Sequence, residues 1–552
     1  MSFETIFSQY PIRQRIVDNL DSFTDIENLA SKSMSIYENI KTFPIKKNIS
    51  VSENTFLIFK ISDIYSSLIE NLPNIRLKYN DHVLNPNDLL RYFATIPNGE
   101  LEHIKKIHFY FFDTCIDYRT GDIYNSVNFL PNIQTYNPLN LKQFGREIAN
   151  FIDNLFELCP NADTLEINSQ LSIHFFIIYY LASPKIKILQ GTTLLSMVVF
   201  ANIRNNDYLG CIDKMPGLEE FHIDCFSSRI LETEYYADIL RDIFTCLTRK
   251  KCNKVVYYGD IRTSSNEIQF INNFGNFLNL TQEYNVNISL KGNYIFKSEF
   301  YIHCLVESIV ELNIAPENIT DFTTFASNLH AFSKLKTVKL ELIDIFFHRI
   351  LNDNLNDTFK TFSGTKMFEK IEEFYIKLEM FSPESVINDY AEIKNNTILK
   401  LLMELSTNLR ILYLENIPDL TQEMSDTLSK NCPNITEIYL IPKNSINRNF
   451  IKNMKKLEFM FLRGNYKVIT PDIVKMVTFY PKDSEESDMF YYMNDIQFKN
   501  YFENRFNRTF RCFIKNRFEK QFLYCVFLNG ILDWRKYIKR MNSYNVPFQP
   551  VF

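Results

Sequence analysis

Apolar residues recur along the chain in one spacing, two of them three apart and a third two further on. "CPNITEIYL" carries it at Ile435, Ile438 and Leu440, and "CPNADTLEI" at Ala162, Leu165 and Ile167. "MPGLEEFHI" repeats it with Leu218, Phe221 and Ile223. Later copies start at Ile309, Leu335, Ile371, Leu409 and Leu457, and an earlier one at Ile104. The last two apolar positions share one face of a short strand, and the residue between them points the other way. Leu412 and Leu414 are therefore expected in a core, with Tyr413 directed outward.

Helical spacing fills the intervals. Phe144, Ile148, Phe151, Leu155 and Leu158 form one stripe, and Tyr236, Ile239, Ile243 and Leu247 another. The unit reads strand, turn, helix, turn. One unit cannot bury its apolar face, but stacked units can. Cys-Pro-Asn is punctuation, since proline cannot continue a helical hydrogen-bond ladder.

The pattern resembles leucine-rich repeats, in particular the cysteine-containing subclass in which Cys-Pro-Asn-Leu closes a helix before the next strand. That resemblance implies an α/β fold, an irregular leucine-rich-repeat solenoid of horseshoe form. Its inner, concave face would carry the residues between the last two apolar positions. In four successive copies these are Tyr375, Tyr413, Tyr439 and Phe461, rimmed by Glu372, Glu373, Glu415, Glu437 and Glu458. Such a column is a candidate partner-binding surface. Earlier copies place Glu166, His222, Asn313 and Lys339 there.

Residues 10–40 add a second pattern. Pro11 suits the first turn of a helix carrying Ile12, Ile16 and Leu20 on one side. "TDIE" from Thr24 is a capping box opening a helix whose apolar side includes Ile26 and Leu29. This segment resembles the F-box, the helical module that docks on the Skp adaptor of cullin–RING ubiquitin ligases. It departs from that pattern in having Ile12 and Arg13 where an acidic residue is usual. The resemblance implies adaptor binding through Pro11, Ile12, Ile16, Leu20, Ile26 and Leu29. An ordinary helical cap over the first repeat fits the same apolar pattern.

Composition narrows the classes. With 46% hydrophobic and 23% charged residues, the 552-residue chain can bury a large core. A net charge of −5 argues against a general nucleic-acid binder and gives no reason to expect a membrane surface. The most apolar run, "IHFFIIYYLA", is too short to span a bilayer. No signal peptide is expected, and ten scattered cysteines suit a reducing compartment, cytoplasmic or nuclear. No phosphate loop, H-E-x-x-H, C-x-x-C or nucleophile elbow occurs, so no catalytic residue, metal site or cofactor is expected. "NYFENRFNRTFRCFIK" places Phe502, Phe506, Phe510 and Phe513 at helical spacing with basic residues elsewhere. It reads as a helical cap, with a nucleic-acid or anionic-membrane patch as the alternative.

The expected organisation is an F-box-like helical module at 1–45, a connector at 46–100, a repeat body at 101–480 and a helical C-terminal cap at 481–552. The expected function is substrate recognition within a Skp–cullin–F-box ubiquitin ligase, with a Skp-type adaptor, the cullin complex and a protein substrate as partners. The alternative is a leucine-rich-repeat interaction scaffold without ligase association.

Overall fold

The computed structural model describes residues 3–18, 29–41, 56–61, 75–80, 82–96, 101, 104–111, 138–169, 174–193, 215–224, 235–249, 254–259, 267–294, 301, 304–344, 346–347, 367–379, 391–481, 489–490, 492–509, 512–515 and 524–527. Two compact units divide the chain. One is Asn54–Ile314 with His330–Leu335; the other is Met1–Glu53, Ala315–Leu329 and Lys336–Phe552.

The first unit holds β1 (Phe56–Ile61), β2 (Leu77–Tyr79), β3 (His82–Leu84), β4 (Lys106–Phe111), β5 (Thr164–Ser169), β6 (Ile188–Thr193), β7 (Glu220–Asp224), β8 (Lys254–Tyr258), β9 (Asn287–Tyr294) and β10 (Ile309–Ile314). β1 pairs parallel with β4, and β4 to β10 follow one another in parallel. β2 and β3 extend the other edge of β1 antiparallel. The stretch read as a connector thus supplies three strands, and also the helix Pro86–Thr95, whose first N–H groups are capped by Asn85.

The apolar triplets put Ile107, Phe109, Leu165, Ile167, Phe221 and Ile223 in the core. The helix Pro138–Leu158 faces them: the Phe151 ring lies 5.3 Å from Phe59 and 6.0 Å from Phe109. Burying each such ring stabilises by roughly 2–3 kcal/mol. That helix ends at the first Cys-Pro-Asn, where the Cys159 N–H donates to Leu155 O at 2.8 Å. Gly191 in β6 is obligatory: φ is +79°, and a Cβ would meet Ile167 O at 2.2 Å.

The second unit holds β11 (Thr337–Ile343), β12 (Glu373–Glu379), β13 (Ile411–Leu420), β14 (Glu437–Ile446), β15 (Phe459–Arg463), β16 (Met476–Tyr480), β17 (Cys512–Lys515) and β18 (Tyr524–Phe527). β11 to β16 run parallel in order; β18 pairs antiparallel with β16, and β17 with β18. The helix Gln422–Asn431 ends at the second Cys-Pro-Asn, with Cys432 N–H donating to Leu428 O.

The helix Asp495–Phe506 opens on a capping box of Asn494 and Gln497 and closes on Asn507 in the left-handed region. Phe502 and Phe506 are buried as their spacing predicts. The helix stops there, and Cys512–Lys515 is a strand rather than its continuation. Arg505 is buried too. It donates to Tyr466 O at 2.7 Å and to Gly464 O, and its guanidinium lies 4.3 Å from the Phe479 ring. This supposedly outward basic residue is a structural anchor.

The expected leucine-rich-repeat horseshoe with a helical F-box-like module is overturned. Each unit carries an open, mostly parallel sheet edged by antiparallel strands, with few helices. The helices Phe3–Phe7, Tyr10–Asp18 and Met34–Lys41 fall in the same compact unit as β11 to β18. The physical reason is that apolar triplets specify parallel strands with a buried face. They do not specify the regular outer layer that bends a sheet into a horseshoe. That layer is uneven here: 21 residues in Pro138–Leu158, five in His174–Ile178, and turns alone between β14 and β15. β15 is buried on both faces over four successive residues, where a horseshoe would leave one face to solvent. Among the described residues no helix is long and apolar enough to cross a membrane.

Candidate functional site

Two groups of strand-borne side chains stand out, one in each unit. In the first unit, register sets Glu166 on β5 beside His108 on β4. His108 Nε2 lies 2.9 Å from the Glu166 carboxylate and Nδ1 3.1 Å from the Tyr110 hydroxyl. Lys106 pairs with the same carboxylate and donates to Gln190 Oε1 at 2.7 Å; Asn168 donates to Glu166 Oε1 at 2.7 Å. Burial alone would raise the Glu166 carboxyl. His108 and Lys106 outweigh it and hold the group at about 2.

The motif repeats two strands on. The Glu220 carboxylate takes His222 Nε2 at 2.5 Å and Lys254 Nζ at 3.1 Å. Here too burial is outweighed and the carboxyl sits at about 2. His222 itself is buried, and loss of hydration holds its imidazole below the usual value despite Glu220. Further along, the Ser289 hydroxyl donates to Glu311 at 2.8 Å. This face offers fixed donors and acceptors whose charges are already matched.

In the second unit, two rows cross the strands in register. The first runs Lys339, Tyr375, Tyr413, Tyr439, Phe461, Thr478. Ring centroids are separated by 5.5, 5.5 and 5.9 Å along Tyr375, Tyr413, Tyr439 and Phe461, and the Lys339 ammonium lies 5.1 Å from the Tyr375 ring. The second row runs Glu341, Lys377, Glu415, Ile441. Lys377 Nζ meets Glu379 at 2.7 Å and Glu341 at 3.5 Å. Its pKa is raised: burial works against the charge, but these carboxylates win. Glu415 and Glu341 go the opposite way from Glu166, because burial raises both and their cations only partly offset it.

The four predicted column residues are therefore brought together, but not as an exposed patch. Tyr375 is half-buried, while Tyr413, Tyr439 and Phe461 are 8%, 4% and 2% exposed. Spacing predicted the alignment and missed the burial, because each ring covers the faces of its neighbours. The outward Tyr413 of the sequence reading is corrected accordingly. Of the rim, Glu437 is buried outright, and Glu372 pairs with Lys336 at 2.9 Å.

At the N-terminus, Pro11, Ile12 and Ile16 lie on the helix Tyr10–Asp18. Pro11 is exposed, Ile12, Ile16 and Leu29 are half-buried, and Leu20 and Ile26 lie outside the described residues. Arg13 donates to Asn39 at 2.5 Å, tying this helix to Met34–Lys41. Phe3, Met34 and Tyr37 are exposed.

The paired charges of the first unit were missed as a site. The available signal was a basic or histidine residue two positions from another polar one on a strand, in β4 with Lys106 and His108 and in β7 with Glu220 and His222.

Among curated proteins, none matches the chain. A family described as "Domain of unknown function (DUF8346)" matches residues 126–541, which takes in β5 to β18 and leaves β1 to β4 and the N-terminal helices outside the match. That span is well over half of the 552 residues, and the chain belongs to this family.

Proposed function

We propose that this protein is a non-catalytic recognition subunit, working in the cytoplasm or nucleus, that joins a Skp-type adaptor of a cullin ubiquitin ligase to a protein substrate. The observation that carries the adaptor half is the uncovered apolar surface of the N-terminal helices: Met34 is 74% exposed and Phe3 50%. Uncovered apolar side chains on a small helical cluster favour docking by a partner. Strand-borne polar side chains at fixed register support the substrate half, since a rigid sheet pre-organises its contacts. Buried free thiols at Cys159, Cys246, Cys304 and Cys432 suit a reducing compartment.

The test is affinity capture with the full-length tagged chain. Skp and cullin subunits should co-purify with it, and an Ile12→Asp, Ile16→Asp double variant should lose them. Capture without either subunit would rule the ligase role out. A scaffold without ligase association is the second reading. It is favoured by the family match, which covers the sheets from β5 onward and omits the N-terminal helices.

A further inference from the structure

The hairpin of β2 and β3 ends the first unit's sheet on an open strand. Among the described residues β3 pairs with β2 alone. Tyr79 and His82 are the register pair next to the turn, where Asn80 takes a φ of +51°, the left-handed conformation of a tight hairpin. That closing pair is hydrogen-bonded, and bonded and unbonded pairs alternate along an antiparallel ladder. Lys78 and Val83 are therefore an unbonded pair, and the N–H and C=O of Val83 point away from β2 toward the open edge. Sheet edges are commonly guarded there by lysine or proline; here the residue is Val83, 48% exposed. The two faces of this edge differ. On the helix side the Tyr92 ring, 37% exposed, lies 5.4 Å from His82 and 5.6 Å from Phe93. On the opposite side register lines up Val83, Lys78, Lys60, Tyr110 and Asn168, and no carboxylate falls in that row. Lys78 and Lys60 are exposed, as is Arg76, two residues before Lys78.

We propose that β3 accepts an acidic, extended segment of a partner protein as an added strand. The outward backbone groups of Val83 supply main-chain bonds, and the side chains around them select the sequence. Charge chooses the occupant. A glutamate opposite Val83 stands two strand spacings from Lys78, about 9.6 Å, a gap that the two side chains together span. Its neighbours in the segment turn to the other face, where aliphatic side chains cover the Tyr92 ring. The segment that fits therefore alternates glutamate with aliphatic residues. A second copy of this chain offers no carboxylate for the position, since its own edge row presents Val83, Lys78 and Lys60 again. β3 is three residues long, so few main-chain bonds are on offer and the side chains carry the selectivity. The inference goes beyond the ligase reading and makes no use of the N-terminal helices.

The probe is a fluorescein-labelled Val–Glu–Val–Glu–Val peptide, titrated by fluorescence anisotropy against the full-length chain. A Val–Lys–Val–Lys–Val counterpart should bind about fivefold more weakly, as expected of exposed charge pairs. The glutamate peptide with N-methylated backbone amides should also weaken about fivefold, because it loses main-chain bonds. Lys78→Glu should reverse the preference between the glutamate and lysine peptides, and a gain for the lysine peptide cannot come from misfolding. Val83→Pro removes the outward N–H and should weaken the glutamate peptide; proline is tolerated on an edge strand whose N–H faces solvent. Lys430→Glu, at an exposed lysine of the other unit, should change nothing. Equal binding of the three peptides by the wild type overturns the inference and needs no variant. An unchanged preference in Lys78→Glu overturns it too, as does an equal effect of Lys430→Glu. Any of these outcomes leaves the proposed ligase role to its own test, the capture of Skp.

Discussion

The two units fill equivalent strand positions with opposite chemistry. Between its buried apolar residues, the first unit places Lys106, His108, Glu166, Glu220, His222 and Lys254, and each carboxylate is met by a histidine and a lysine. The second places a stack of aromatic rings, with carboxylates in a neighbouring row that are only partly met. Parallel pairing dictates the columns in both, since strands about 4.8 Å apart bring equivalent residues side by side. What differs is how a column lowers its own free energy. Alternating charges neutralise one another, whereas like rings stack and exclude water. The first solution depends on pH and the second does not.

The largest effect should come from breaking the second unit's core. Leu414 is fully buried, and Leu414→Asp should cost on the order of 4 kcal/mol by burying an unpaired charge. Tyr413→Asp should cost nearly as much, because the ladder encloses that side chain. Hydrogen exchange across β13 reads both variants. A mild Tyr413→Asp phenotype would mean that the ring is solvated and the comparison wrong.

Acid should separate the units next. Glu166 and Glu220 stay ionised in the folded chain down to about pH 2, against an ordinary 4.5 when unfolded. As pH falls the unfolded chain takes up these protons first, so stability present above 4.5 is lost between 4.5 and 2. Each carboxyl contributes on the order of 3 kcal/mol at neutral pH. Glu341 and Glu415, both raised, act in the opposite sense: their contribution is present below 4.5 and is lost as pH rises through their folded values. Exchange in β4 to β8 should therefore accelerate in acid before exchange in β11 to β14. A Glu166→Gln, Glu220→Gln variant should lower stability at neutral pH and erase that difference. Simultaneous loss of both regions would refute it.

A smaller effect tests the ladder. Tyr439→Leu keeps apolar volume but removes the ring contacts to Tyr413 and Phe461, 5.5 and 5.9 Å away. The loss should be about 1–2 kcal/mol, of the size measured for aromatic pairs. The equivalent change in the first unit, Gln190→Leu, removes one hydrogen bond from Lys106 and should cost about 1 kcal/mol or less. Differential scanning calorimetry of the two variants ranks them.

Much of the strand pattern was legible. Ile438 with Leu440 and Phe374 with Ile376 are buried as their two-residue spacing requires. β16 carries the same signal in Val474, Val477 and Phe479 and was overlooked. β6 was hidden because Gly191 occupies the last apolar position, a substitution dictated by backbone approach rather than by hydropathy. The horseshoe was not legible: local triplets fix pairing and burial of one face, while curvature depends on the helices between strands, whose lengths vary. Nor was the state of Tyr413 and Glu415, which is set by residues distant in the chain, such as Tyr375, Lys377, Glu341 and Arg463.

The smallest predicted effect isolates what makes the second unit different. Glu415→Gln removes a charge that burial disfavours and that Lys377, the Tyr413 hydroxyl and Arg463 only partly offset. Its amide can still accept from the Tyr413 hydroxyl and offers donors of its own. Stability at neutral pH should therefore rise slightly, by on the order of 1 kcal/mol or less, against the usual trend of substitutions. Glu166→Gln must do the reverse, because it removes a carboxylate that His108 and Lys106 both depend on. Urea midpoints measured side by side at neutral pH and at pH 4 decide the matter. The gain from Glu415→Gln should shrink at pH 4, where the native carboxyl is already largely protonated. The loss from Glu166→Gln should persist there, since the native group remains ionised to about pH 2. Two variants of the same sign would show that both faces manage charge alike.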